Sequence, residues 1–213
     1  MSWKKSVFKS FKLYAVTDIK TADEPILEKV RAAYQGGADI VQLRSKTLSD
    51  RKLCEIGKGI KRLAARYRKL FFVNDRLDLA LATGADGLHL GQEDLPIESV
   101  RMICEKMGRS LWIGKSTHSL AQALKAQKEG ADYIGVGPIF STPTKPGCPT
   151  VGLDLIQQVK SKIKIPFVAI GGINEKNIAQ VCEAGAERIA VVRAIFSREN
   201  IYAAAKQLRA QLG

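Results

Sequence analysis

Two aspartates, Asp75 and Asp94, follow two neighbouring apolar segments in a pattern that suits a metal site. The segments, 70–73 and 87–90, are short and bounded by turn residues, which predicts two buried strands with a short helix, 76–83, between them. Successive strands of a parallel sheet point the same way, so both carboxylates would emerge at one edge of the sheet, close enough to share a hard cation. The alternative is that each acid only caps the helix after its strand.

A basic segment, QLRSK, follows an earlier apolar run. Side-chain alternation along a strand would place Gln42, Arg44 and Lys46 on one side. The guanidinium of Arg44 offers several hydrogen-bond donors in a fork, and the ammonium of Lys46 offers a point charge. Both groups suit the binding of phosphate oxygens. Solvated surface charges are the alternative.

The segment 137–152, GPIFSTPTKPGCPTVG, is the least helical part of the chain and is interrupted by prolines and glycines. Long loops of this kind are usually functional or mobile. Thr142, Thr144 and Lys145 supply hydroxyls and a cation, and Gly147 is available as a hinge, so we expect a lid over an anionic substrate. A solvated surface loop is the alternative.

An internal repeat organises the chain. Gly-Ala pairs begin at Gly37, Gly84, Gly130 and Gly185, at intervals of 47, 46 and 55 residues. Another apolar run precedes each repeat, and the segments between carry helical periodicity, so eight strands alternate with helices. Alternation indicates a parallel sheet, and eight units in one chain of this length predict a single α/β domain, 1–213, folded as a (β/α)₈ TIM barrel rather than a doubly wound sheet.

Inward-facing side chains of such barrels form layers of four from alternate strands. Aligning the repeats gives one layer of Gln42, His89, Gly135 and Ala190 and a second, nearer the mouth, of Arg44, Gly91, Gly137 and Val192. The glycines of the second layer predict a cavity with Gln42 and His89 on its floor, which would seat a flat ring with an anionic tail. Alternatively, His89 is a core histidine bonded to a neighbour.

Two further segments could bind anions at the mouth of the barrel. In GKSTHS, one of Ser116 and Ser119 would cap the next helix, leaving the other hydroxyl for an anion at the helix N-terminus. Gly171 and Gly172 follow strand seven, where barrels often bind phosphate, and they permit close approach of the backbone.

The amino-acid composition indicates which partners and metal sites to expect. The net charge of +13 favours anionic partners, and the four cysteines form no C-x-x-C pair, which argues against structural zinc. Without a long apolar run or a signal sequence, we expect a cytoplasmic protein with no membrane partner, while the oligomeric state stays open. Residues 1–12 are expected to form an arm over the bottom of the barrel; a surface-binding amphipathic segment is the alternative.

Seven segments taken in order resemble the thiamine phosphate synthase family. They cover nearly the whole chain: QLRSK, FVNDR, GLHLGQEDLP, GKSTHS, GPIFSTPTKPG, AIGGI and VVRAI. The resemblance implies a (β/α)₈ enzyme that joins a hydroxymethylpyrimidine diphosphate to a thiazole phosphate and releases pyrophosphate, with Mg²⁺ as its cofactor.

The resemblance also implies roles for individual residues. The metal would be held by Asp75 and Asp94, and charge on the leaving group would be neutralised by Arg44, Lys46 and Lys145. The pyrimidine diphosphate would be bound by Gln42, Leu43, Arg44, Ser45, Lys46, Asn74, Ser116 and Lys145. The thiazole phosphate would be bound by Thr142, Pro143, Thr144, Gly172, Val192 and Arg193.

Two residues depart from the family pattern. Ser45 stands where many members of the family have an acid, but alternation should turn it away from the cavity. Arg193 replaces a serine that meets the thiazole phosphate; a guanidinium can also donate to phosphate, although it is far larger. Alternatively, Arg193 points outward and pairs with an acid such as Glu199.

Two other functions are considered. A related thiazole tautomerase would use His118 as a proton carrier and would not need a diphosphate site. A nucleic-acid-binding protein is suggested by the net charge and by a basic run, although such runs are usually solvated helix faces. The run consists of Lys58, Lys61, Arg62, Arg66, Arg68 and Lys69.

Overall fold

The computed structural model describes residues 3–144 and 147–213. Within these residues lie eight strands: β1 Leu13–Val16, β2 Ile40–Leu43, β3 Leu70–Asn74, β4 Gly87–Leu90, β5 Trp112–Thr117, β6 Tyr133–Val136, β7 Phe167–Ile170 and β8 Ile189–Val191. The same residues contain ten helices: α1 Trp3–Ser10, α2 Ile26–Gln35, α3 Asp50–Tyr67, α4 Leu77–Thr83, α5 Ile97–Lys106, α6 Leu120–Lys128, α7 Asp154–Lys162, α8 Ile178–Glu183, α9 Arg193–Phe196 and α10 Ile201–Ala210.

The strands pair in parallel in sequence order, and β8 pairs with β1 to close the barrel. The predicted (β/α)₈ barrel is therefore confirmed. None of the helices within the described residues is both long and apolar enough to cross a membrane.

The repeated Gly-Ala-Asp motif ends a helix and fastens the next strand at the bottom of the barrel. Gly84, for example, ends α4 in the left-handed conformation at φ 66°, which glycine adopts without steric cost. Two residues later, Asp86 Oδ2 accepts a hydrogen bond from the amide of Phe71 at 3.1 Å. In the next repeat, Asp132 Oδ2 accepts from the amide of Ile113 at 2.7 Å. The motif thus bonds one strand to the start of its neighbour.

Helix α1 closes the N-terminal end of the barrel. Its Phe8 ring stacks on Trp112 with centroids 4.7 Å apart, and Phe11, which follows the helix, meets Tyr133 edge to face at 6.3 Å. The apolar side of this amphipathic segment therefore packs inside the barrel, in a cluster with Phe72.

Glycines inside the barrel make room for these rings. A Cβ on Gly114 would lie 2.1 Å from the Tyr133 ring, and one on Gly87 would lie 2.5 Å from Phe72. Large rings can therefore fill the lower barrel because neighbouring strands carry no side chain there.

Candidate active site

A cavity of about 570 Å³ opens at the C-terminal end of the barrel. All four residues of the first predicted layer line it: Gln42, His89, Gly135 and Ala190. From the second predicted layer the lining includes Arg44, Gly137 and Val192. Gly91 is not part of this lining; its amide instead donates to Asp94 Oδ2 at 2.5 Å. The size and mixed polarity of the cavity suit small ring-containing ligands.

Arg44 is held at the mouth by an acid that the sequence analysis missed. Its Nη1 donates to Asp18 Oδ1, and the other carboxylate oxygen of Asp18 lies 2.8 Å from Lys20 Nζ. The side chain of Arg44 is only 12% exposed and lines the cavity, so Asp18 holds its guanidinium at the cavity wall. Asp18 comes two residues after β1, and this strand-end position was the available signal.

The structure brings Asp75 and Asp94 together as the sequence predicted. Burial raises the pKa of Asp75, and hydrogen bonding and repulsion from the Asp94 carboxyl raise it further. Asp75 also has a left-handed backbone, with φ at 58°, and its Oδ2 lies 3.6 Å from Lys46 Nζ. Two carboxyls in contact, one partly buried, form an arrangement that a cation would stabilise.

The segment 42–46 contributes alternate side chains to the site. Gln42 and Arg44 line the cavity, as does the next strand's Asn74. By contrast, Leu43 is buried in the outer core between strands and helices, and Ser45 Oγ donates to the Ile19 carbonyl at 2.9 Å. Leu43 and Ser45 can therefore reach a ligand only through backbone atoms, because alternation turns their side chains away.

Five polar side chains form a hydrogen-bonded row across the barrel interior. Gln42 Nε2 donates to Tyr14 Oη at 2.7 Å, and Tyr14 Oη lies 3.0 Å from Tyr133 Oη. His89 bonds Tyr133 Oη through Nδ1 and Ser116 Oγ through Nε2, each at 2.9 Å. His89 is thus bonded to neighbours and also lines the cavity. Neither tyrosine was predicted from the sequence, because each lies within an apolar run.

The two serines of GKSTHS have separate roles. Ser119 Oγ caps α6 by accepting from the Gln122 amide at 3.2 Å, whereas Ser116 lines the cavity. His118 also lines the cavity, and its Nδ1 bonds the Gly137 carbonyl oxygen.

A basic corner lies where β7 and β8 end. Gly171 and Gly172 have φ values of 104° and 66°, and a Cβ on Gly172 would lie 2.7 Å from the Ser141 carbonyl oxygen. Helix α9 begins there at Arg193, which is exposed, lines the cavity and forms no ion pair with any described residue. The alternative pair with Glu199 is therefore not formed.

Two more cations border this corner, and the sequence analysis missed both. Arg198 Nη2 donates to Glu175 at 2.6 and 2.7 Å, and Lys176 lines the cavity beside it. Thr142, Pro143 and Thr144 also line the cavity. Lys145, the predicted cation of the lid, lies outside the described residues.

Comparisons with known proteins place the chain among one set of relatives. A family model described as thiamine monophosphate synthase matches residues 13–195. The thiamine-phosphate synthase of Pyrococcus furiosus is 43% identical over 198 residues, which is 93% of this chain and 93% of the relative. That of Shouchella clausii is 46% identical over 206 residues, or 96% and 97% of the two chains.

Solved structures agree with this placement. A structure of thiamine phosphate pyrophosphorylase from Pyrococcus furiosus matches with a TM-score of 0.85 at 42% identity, covering 95% of each chain. A 3-hexulose-6-phosphate synthase, at 21% identity and a TM-score of 0.69, shares the fold alone; the match covers 95% of this chain and all of the other.

Proposed function

Since this chain belongs to the thiamine monophosphate synthase family, we propose that it condenses a hydroxymethylpyrimidine diphosphate with a thiazole phosphate in the cavity at the mouth of the barrel. The observation that carries the proposal is that charged groups lie both next to the cavity and in its lining. Asp75, Asp94 and Lys46 meet just after the cavity-lining Asn74 of β3, and the basic corner of Arg193 lines the cavity where β8 ends. A diphosphate and a monophosphate would thus have separate sites, with the rings between them.

We propose that Asp75 and Asp94 hold Mg²⁺. Burial and the neighbouring Asp94 carboxyl both raise the pKa of Asp75, and a divalent cation between the two acids would remove the repulsion part of this effect. Within residues 3–144 and 147–213, no group of three or more His, Cys, Asp or Glu side chains is arranged to hold a metal. The remaining ligands would therefore be diphosphate and water oxygens, as is usual for Mg²⁺. When bound, the ion would neutralise charge on the departing diphosphate.

The chain's own residues orient the reactants and stabilise the leaving group. The thiazole nitrogen supplies the electron pair for the new C–N bond while the C–O bond to the diphosphate breaks, so no protein base is required. Arg44, fixed by Asp18, and Lys46 would donate to the leaving pyrophosphate. The family resemblance implies the same role for Lys145.

The remaining contacts align the rings, which converts a bimolecular encounter into a reaction within one cavity. Gln42, Asn74 and Ser116 would bind the pyrimidine diphosphate. The thiazole phosphate would be bound by Thr142, Pro143, Thr144, Gly172, Val192 and Arg193. The four cysteines are free, which fits a reducing compartment such as the cytoplasm.

The test is pyrophosphate release. The protein is incubated with both substrates and Mg²⁺, and in parallel with each substrate alone or with chelator. We expect release only when both substrates and Mg²⁺ are present. No release with the pair, together with isomerisation of the thiazole phosphate, would instead identify a tautomerase.

A further inference from the structure

The row of hydrogen bonds from Gln42 to Ser116 has a definite direction. Gln42 and Tyr14 are 4% and 2% exposed, and Tyr133 is 1% exposed. Burial raises the pKa of both tyrosines well above their usual value, so each hydroxyl keeps a proton to donate. A buried donor without an acceptor is costly, and the protons must therefore be distributed so that every donor in the row is used.

Gln42 starts the sequence of donors. Because Tyr14 Oη accepts from the Gln42 amide nitrogen, its own proton must go to Tyr133, the only other described side chain bonded to it. Tyr133 in turn must donate to Nδ1 of His89. A His89 ring that accepts on Nδ1 carries its proton on Nε2 and donates it to Ser116 Oγ.

All five residues of the row line the cavity, and the hydrogen-bonding groups left for a ligand lie at its two ends. Ser116 accepts from His89, so its hydroxyl proton is left to donate into the cavity. Gln42 uses its amide nitrogen on Tyr14, so its Oε1 is left as an acceptor. If the Gln42 amide turned over, every bond in the row would reverse, and Ser116 would become an acceptor while Gln42 became a donor.

We propose that Tyr14, Tyr133 and His89 form a polarity relay, a set of hydrogen bonds that fixes Gln42 as an acceptor and Ser116 as a donor toward the cavity. Gln42 and Ser116 therefore select a ligand ring together. The selected ring offers a donor to Gln42 and an acceptor to Ser116. An aminopyrimidine has both, in its exocyclic amino group and its ring nitrogens. Tyr14 and Tyr133 are thus positioning residues, and the identity of this ring rests on the function proposed above.

Histidine tautomers test the relay without any substrate. The chain has only two histidines, so long-range ¹H–¹⁵N spectra of the labelled protein report on two rings. His118 is an internal control, because its Nδ1 faces a carbonyl oxygen and must carry the proton. We expect opposite tautomers, with the proton on Nε2 in His89 and on Nδ1 in His118. A proton on Nδ1 of His89 would overturn the relay, whatever the activity.

The preference of the enzyme between two pyrimidine substrates tests what the relay does to ligand selection. Tyr133→Phe removes one proton from the middle of the row and keeps the ring, while Tyr34→Phe is the matched control, since Tyr34 is buried and its hydroxyl donates to the Leu70 carbonyl instead. The measurement is kcat/KM for the 4-aminopyrimidine diphosphate and for its 4-oxo analogue. We expect Tyr133→Phe to reduce the preference for the amino ring by about tenfold or more, since the polar pattern is no longer fixed.

Tyr34→Phe should leave that preference unchanged. Equal preferences in wild type and Tyr133→Phe would overturn the proposal, and Tyr14→Phe, which cuts the row one bond earlier, repeats the test if Tyr133→Phe does not fold. Wild-type protein that releases no pyrophosphate would instead contradict the proposed function, and the tautomer measurement would still decide the relay.

Discussion

Arg44 depends on Asp18 for its position at the cavity mouth. Asp18→Asn keeps the shape of the side chain but removes the charge that holds the guanidinium. We expect the KM for the pyrimidine diphosphate to rise about tenfold, as for loss of one charge-assisted contact. The control is Asp50→Asn, which breaks the exposed pair with Arg76. An unchanged KM in the Asp18 variant would show that Arg44 needs no support.

The ionised Asp75 carboxyl is expected to lower the stability of the folded protein when no metal is bound. An acid with a raised pKa holds its proton more tightly in the folded state, so its ionisation opposes folding above that pKa, and the cost disappears as the pH falls through it. Asp75→Asn should therefore raise Tm at neutral pH without Mg²⁺, by an amount that shrinks toward acidic pH. It should also abolish both turnover and any stabilisation by Mg²⁺.

Asp78→Asn is the control for this measurement. Its carboxyl has a lowered pKa because Arg76 donates to it, so the substitution should not raise Tm. A Tm that falls in Asp75→Asn and stays sensitive to Mg²⁺ would contradict the metal assignment.

Arg193 is expected to bind the thiazole phosphate in place of a serine. It begins α9 at the cavity and has no acid partner among the described residues. Arg193→Ala should raise the KM for the thiazole phosphate about ten- to a hundredfold, corresponding to about 1.5 to 3 kcal/mol. The KM for the pyrimidine diphosphate should hardly change. Equal thiazole KM values in variant and wild type would leave Arg193 without this role.

Among the elements, α1 contributes to stability at the end of the barrel opposite the cavity mouth. Phe8 packs on Trp112, Phe72 and Tyr133 at the bottom of the barrel. Phe8→Ala should lower the free energy of unfolding by about 3 to 5 kcal/mol, measured with denaturant, while kcat/KM of the folded protein changes far less, because the Tyr133 hydroxyl keeps its partners Tyr14 and His89. Lys9→Ala, on the exposed side of the same helix, should change little. Lost activity at full stability would show that α1 acts on the site.

The order of elements was predictable because each strand is a short apolar run and each repeat ends in the same turn. The paired aspartates were predictable for a related reason, since parallel strands bring their ends to one edge. The row through Tyr14 and Tyr133 was not predicted, because the alternation that turns Gly135 inward also turns Tyr133 inward but does not reveal which side chains bond one another across the barrel. Asp18 was missed because its partner, Arg44, is 26 residues away, and α9 because four residues give too little periodicity.

Over the whole molecule, stability and chemistry lie at opposite ends of the barrel. The cavity is at the strand C-termini, whereas the carboxylates of the Gly-Ala-Asp repeats bond strands and cations at the other end. Lys61 and Lys69, two residues of the basic run, are among those cations, paired with Asp86 and Asp39. Part of the net positive charge therefore lies in ion pairs that stabilise the fold.

Asp86 is the clearest case of a group that should serve stability alone. Its side chain is 4% exposed, lies 2.8 Å from Lys4 Nζ and 2.6 Å from Lys61 Nζ, and so joins α1 to α3. Asp86→Asn leaves two partly buried cations without a counter-charge, and removal of one partner from such a pair typically costs about 3 to 5 kcal/mol. We therefore expect Tm to fall by several degrees with kcat/KM unchanged below the transition.

The chain supplies the matched control in its fourth repeat. Glu187 occupies the position of Asp86, but it is 70% exposed, and its one ion pair among the described residues is with its neighbour Arg188, at 3.3 Å. Exposed pairs contribute about 0 to 1 kcal/mol, so Glu187→Gln should barely move Tm. If Asp86→Asn also left Tm unchanged, or lowered kcat/KM while Tm was unchanged, the division of the barrel into a stabilising end and a catalytic end would be wrong.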